Sequence, residues 1–316
     1  MRPRRPDAAS ERRLEELRRE AESRGEVGAP GVRPSGSPLP EASAGSGYYG
    51  LPLLKPPVWT WEVPLYFFTG GAAGGAACIA FAARVTGAPE RLVRDAQWVA
   101  AIGGAVSGPL LIADLGRPER FLNMLRVFKW QSPMSVGAWL LLSFGVAASA
   151  AVATRGAPRD LASGVAALAG LGMATYSGVL LGATALPVWS KHASILPPHF
   201  AASALGSAAS ILELLGHRGR ALHKLALVAA ASETVLHSLL QVSATTRLAG
   251  AFSGPIPLLL RALYGRSRRA RTAAAASALL GSLLTRFAWV EAGRGSVASP
   301  PRPLRGDAAR SGDAVR

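Results

Sequence analysis

Apolar residues run through the middle of the chain in stretches of about 20, separated by short polar connections, and both ends are polar. A helix needs about that length to cross the roughly 30 Å hydrocarbon core of a bilayer. Eight stretches have this character: Val63–Ala83, Ala96–Ala113, Met134–Thr154, Leu161–Ala183, Phe200–Leu215, Ala221–Val242, Leu248–Leu263 and Thr272–Val290. The fifth has an open start, upstream of Pro197 and Pro198. The seventh holds Pro255 and Pro257, which predict a broken or re-entrant helix. Seven or nine spans would also fit. The pattern predicts an all-α fold, a polytopic transmembrane helix bundle of about eight transmembrane helices with disordered polar tails.

The tails bound three regions. Residues 1–55 form a charged and Gly/Pro/Ser-rich N-terminal tail, with a short charged helical pattern at Glu11–Ser23 and a linker-like stretch over 24–47. Residues 56–294 form the bundle, and 295–316 a polar C-terminal tail. No apolar run follows the N-terminal arginines, so they do not read as a signal peptide.

Within the spans, small residues recur at a spacing of four: Gly70 and Gly74, Gly71 and Gly75, then Gly170, Ala174, Gly178 and Gly182. Lipid gives helices no hydrophobic reason to associate, so small residues act by letting backbones approach closely. Gly74 and Gly75 would also leave room for a flat ligand, a second reading that spacing alone does not decide.

Composition narrows the class. The chain is 49% hydrophobic and 17% charged, with a mean hydropathy of +0.24, a formal charge of +16 and a single Cys. One Cys excludes a disulfide scaffold and a zinc or iron–sulfur site built from this chain alone. Nine arginines fall in the first 33 residues while long later stretches hold none, a distribution that fits a bilayer and not a basic nucleic-acid binder. Orientation follows from the connections. Those after the first, third, fifth and seventh spans carry thirteen Lys and Arg, from Arg84 to Arg271 and including Arg261, whereas those after the second, fourth and sixth carry six. The positive-inside rule then puts both termini on the outer, periplasmic side of the cytoplasmic (inner) membrane, against the pull of the Arg-rich tails.

Residues with chemistry gather where the termini are. Glu62 opens the first span with Tyr66 one turn inward. A carboxylate there suits the free N–H groups of a first turn, and it also suits a quinone headgroup exchanging protons with an acid and a phenol. Asp114 and Arg117 stand three apart where the second span ends, before Pro118. They read as a loop clamp, or as a charge for a bound ring or a partner's acidic surface. Glu233, His237 and Gln241 line one stripe of the sixth span, and Ser203, Ser207, Ser210 and Glu213 one stripe of the fifth. Ionisable groups inside a membrane are costly, so these stripes are a candidate proton path or a structural hydrogen-bond network. His199 and His237 would suffice as axial ligands of a b-type haem, but nothing else marks a porphyrin pocket. His192, His217 and His223 read as loop residues.

At Tyr48–Trp59 (YYGLPLLKPPVW), Tyr66–Gly75 (YFFTGGAAGG), Asp114–Phe121 (DLGRPERF), Asn123–Phe128 (NMLRVF), Ser132–Trp139 (SPMSVGAW), Thr175–Leu181 (TYSGVLL) and Gly281–Arg294 (GSLLTRFAWVEAGR) the sequence resembles the NrfD family, which includes the polysulfide reductase membrane subunit. The resemblance implies a haem-free helical bundle without an iron–sulfur cluster of its own, binding an exchangeable quinone such as menaquinone near its outer face. Electrons would pass between that quinone and a four-cluster, ferredoxin-like iron–sulfur subunit, itself joined to a molybdenum or multihaem catalytic subunit. The positions that match the family's quinone-holding residues are Glu62, Tyr66 and Tyr176, with Asp114, Arg117 and Arg120 shaping the site or docking the partner. Glu213, Glu233 and His237 would lead protons away. Where family members often have Asn or His in the first helix, this chain has Glu and Tyr. On this reading the chain is a respiratory subunit not catalytic alone; the rival readings are a proton-coupled transporter and a passive anchor.

Overall fold

The computed structural model describes residues 57–114, 121–240 and 243–298, together with Glu16 and Arg19. The rest of the N-terminal tail, Arg117, Arg120, Gln241 and the chain beyond 298 lie outside the described residues. Described residues form helices and no strands: α1 (Glu62–Val85), α2 (Glu90–Asp114), α3 (Phe121–Arg126), α4 (Pro133–Ala153), α5 (Ala157–Gly182), α6 (Pro187–Lys191), α7 (Leu196–Leu214), α8 (Arg220–Ser238), α9 (Ala244–Ser253), α10 (Pro255–Tyr264) and α11 (Arg268–Ala298).

Five of these, α1, α2, α4, α5 and α11, are long and apolar enough to cross a membrane. The other three expected spans are realised differently. Helices α7 and α8 have 19 residues each, and the seventh stretch is split into α9 and α10 of 10 residues each. The split falls at Gly254, one residue before Pro255, whose missing N–H and fixed φ suit the first turn of a new helix. Gly254 is also pressed on α8: a Cβ there would stand 2.8 Å from the Thr234 hydroxyl. Elsewhere the ends are set by local chemistry. Ser132 accepts from the Ser135 amide as the cap of α4, with Pro133 at the first position, and Pro197 and Pro198 sit in the first turn of α7.

Helix α1 is the hub. Two thirds of its most apolar window is buried within the protein, against one third for α2, because α2, α5, α7 and α11 all pack on it. Its glycines make that possible. A Cβ on Gly74 would strike the Gly170 carbonyl of α5, and one on Gly75 would lie 2.7 Å from the Ala204 carbonyl of α7. Gly178 and Gly182 of α5 meet Leu196 and Ala193 in the same way, at 2.6 and 2.9 Å. The four-residue spacing is thus a packing device, and backbone fills the space by Gly74 and Gly75 that the second reading reserved for a ligand.

Successive long helices alternate in direction, which gives the bundle two rims. On one, the Thr60 amide donates to Asp114 at 3.2 Å, Tyr176 donates to the Pro133 carbonyl, and Arg294 donates to the Trp59 carbonyl. On the other, Arg84 holds Asp160 at 2.9 Å and Glu90 at 3.2 Å, Arg159 holds Glu90 and Gln97, and His217 meets Asp95 at 2.7 Å.

Candidate functional site

The first rim carries a cleft between the ends of α1, α2, α4 and α5. Its walls include Trp59, Tyr66, Leu111, Asp114, Met134 and Tyr176. Each arrives there for a local reason. Tyr66 lies one turn into α1 and is 4% exposed. Asp114 is the last residue of α2, and its Oδ1 accepts from both the amide and the hydroxyl of Thr60, each at 3.2 Å, which ties the α2 end to the α1 start. Tyr176 reaches from the last third of α5 to the first turn of α4, where its hydroxyl donates to the Pro133 carbonyl. That reach is possible because residue 137 is glycine: a Cβ there would collide with the Tyr176 ring. Trp59 closes one side, stacked on Trp189 with ring centroids 5.3 Å apart and planes 15° apart. The cleft volume is about 50 Å³, narrow because the Tyr176 ring lies against α4.

Glu62 sits at the top of this site and not in its wall. It is partly buried in the first turn of α1 and accepts from the Thr60 hydroxyl, so Thr60 links both carboxylates, Glu62 and Asp114. Of the residues expected at this rim, Glu62, Tyr66, Asp114 and Tyr176 come together; Arg117 and Arg120 lie outside the described residues.

A second polar system runs through α7, α8, α10 and α11. His199 and His237 face each other near the first rim with ring centroids 5.8 Å apart. Glu233 lies one turn further along α8, beside Ser203, Ser207, Ser210 and Ser253, around a cavity of about 10 Å³, the scale of one water. Arg261 also lines it, and beyond stands Glu213. One Glu213 oxygen accepts from Arg261 and the other from Arg271, at 2.5 Å for the latter.

Sequence reasoning placed Arg261 wrongly and gave Arg286 no role of its own. Arg261, counted among the charges of a connection, is 2% exposed inside α10. Arg286, within the Gly281–Arg294 motif, is 1% exposed inside α11; it donates to the Phe200 carbonyl at 3.2 Å and lies 3.9 Å over the Phe200 ring. The missed signal was pairing. Glu213 needs a cation at its depth, and only an arginine inside a neighbouring helix supplies one. His223 lies inside α8, not in a loop, and His192 is buried in the turn after α6, its Nδ1 2.8 Å from the Val188 carbonyl. Among the described residues, no three His, Cys, Asp or Glu side chains converge as a metal site.

Apolar helices in this arrangement, with a mainly apolar cleft carrying a few polar groups at one rim, define a multi-pass helical membrane protein. The family described as polysulphide reductase, NrfD, matches residues 53–242, and the chain belongs to the NrfD family. Among curated proteins, none matches the sequence.

Proposed function

We propose that this chain is the quinone-reactive membrane subunit of a respiratory oxidoreductase complex in the cytoplasmic membrane, with the cleft rim outermost. The observation that carries the reading is the convergence of Tyr66 and Tyr176, from two separate helices, on one cleft beside Asp114. Two phenols, an indole and apolar walls suit a flat ring carrying two carbonyl oxygens. A quinol supplies two electrons and two protons when it becomes a quinone. The electrons leave to an iron–sulfur subunit docked on the same rim, which serves a molybdenum or multihaem catalytic subunit.

The chain's own residues have distinct tasks on this reading. Tyr66 and Tyr176 hold the headgroup oxygens. Because the Tyr176 ring fills the space beside Gly137, it must swing from the Pro133 carbonyl before a ring fits, so Tyr176 governs access as well as binding. Glu62 takes up a proton at the mouth, with Thr60 as the link to Asp114. Arg117 and Arg120 follow Asp114 in sequence and are proposed for docking the partner. The serine-lined column from His237 and Glu233 to Glu213 supports a proton route to the opposite rim. Both Glu213 oxygens are taken by arginines, so Glu213 anchors the end of that route.

The column and the break at Gly254 also suit the rival transporter reading. Purification decides between them. The quinone subunit co-purifies with an iron–sulfur protein and quenches the fluorescence of a bound quinone analogue. A chain that purifies alone and leaves the analogue unquenched is not this subunit.

A further inference from the structure

We infer that the groove between α3 and the start of α4 holds the head group of an anionic phospholipid. The groove has a volume of about 590 Å³ and is lined by Asn123, Arg126, Lys129 and Ser132, with Met124 and Met134 shared with the tyrosine cleft behind it. Arg126 and Lys129 are exposed, and among the described residues neither has an ion pair. Two cations and two neutral hydrogen-bonding side chains in one concavity match a phosphodiester.

Placement selects a lipid as the source of that phosphate. The groove lies at the first turn of α4, level with the Tyr176–Pro133 contact and so with the rim where the apolar spans end. Interleaved with the cations are Val127, Phe128 and Trp130, which are 54%, 56% and 73% exposed. Large apolar side chains so bare beside Arg and Lys are the composition of a membrane interface, where aromatic rings sit at headgroup depth and cations meet phosphates. Below the groove, α4 continues outward-facing with Met134, Leu142 and Val146 exposed, an apolar strip for acyl chains under the head group. This inference does not rest on the quinone reading.

The full chain reconstituted in vesicles tests it, read through Trp130 as the difference in fluorescence between the wild type and Trp130→Phe. Phosphatidylglycerol with brominated chains should quench that difference several-fold more than brominated phosphatidylcholine does. Arg126→Gln and Lys129→Gln should each weaken the preference by about five-fold, the usual effect of one cation near an anionic surface. Both residues are exposed, so folding is unaffected, and counting co-purified phosphatidylglycerol by mass spectrometry gives a second reading. Equal quenching by the two lipids overturns the proposal in favour of a non-selective aromatic belt. Reversal by inorganic phosphate overturns it in favour of a free-anion site. No quenching by either overturns it in favour of a surface covered by protein.

Discussion

The Tyr176 ring occupies the space in which any side chain at position 137 would begin, so Gly137 and Tyr176 are two halves of one fitting. Gly137→Ala should therefore drive the ring from its seat on α4. Overpacking of this kind costs about 1–3 kcal/mol. The expected result is a lower denaturation midpoint in detergent and a cleft whose quinone-analogue affinity changes. An unchanged midpoint together with unchanged affinity would contradict the placement of the ring.

Tyr176→Phe keeps the ring and removes the hydroxyl that donates to Pro133. Stability should fall by only about 0.5–1.5 kcal/mol, the net value of one hydrogen bond. If the phenol handles protons, quinol-linked turnover should fall by about 10²-fold or more, far beyond that structural cost. Steady-state turnover of the purified complex separates the two; a wild-type rate leaves Tyr176 as a packing residue.

Glu62→Gln preserves shape and the contact with Thr60 while removing the acid. Quinol-linked turnover should drop by about 10²-fold with the complex still assembled on a sizing column. Wild-type turnover in that variant would remove Glu62 from the proton chemistry and return it to the role of a first-turn charge.

Glu213→Leu strips Arg261 and Arg271 of their shared carboxylate. A buried charge left without its partner costs about 3–5 kcal/mol, so this variant should be among the least stable single substitutions in the chain. Thermal denaturation in detergent measures it. A loss under about 1 kcal/mol would mean that the arginines find water or lipid phosphate instead.

Gly74→Ala should cost about 1–3 kcal/mol by forcing α1 away from the Gly170 carbonyl, whereas Gly108→Ala, where a Cβ meets nothing within 4 Å, should be neutral. Equal effects in the two would refute the packing role of the α1 glycines.

Much of this architecture was legible in the sequence because hydropathy and small-residue spacing are local signals. Val63–Ala83 and Leu161–Ala183 became α1 and α5 with shifts of a few residues at the ends, and Pro255 announced the break that Gly254 makes. The rim itself was legible as a group of short motifs. What the sequence hid were relations across helices. Arg261 and Glu213 are 48 residues apart, and nothing near either marks the other. His217 does lie in the connection between α7 and α8, as its sequence context reads, but its partner Asp95 stands 122 residues away. Hydropathy treats every arginine as a charge bound for water, so it cannot tell a rim arginine from one that a carboxylate draws inward.

The Glu213 clamp has a consequence for how the chain is made. Its carboxylate leaves the ribosome on α7, and the arginines that neutralise it follow 48 and 58 residues later, on α10 and α11. Until both have been synthesised, a bare anion on a nascent helix faces the full penalty of hydrocarbon. The clamp therefore closes only once the start of α11 has been made, so the packing of α7 against α10 and α11 is completed late in synthesis.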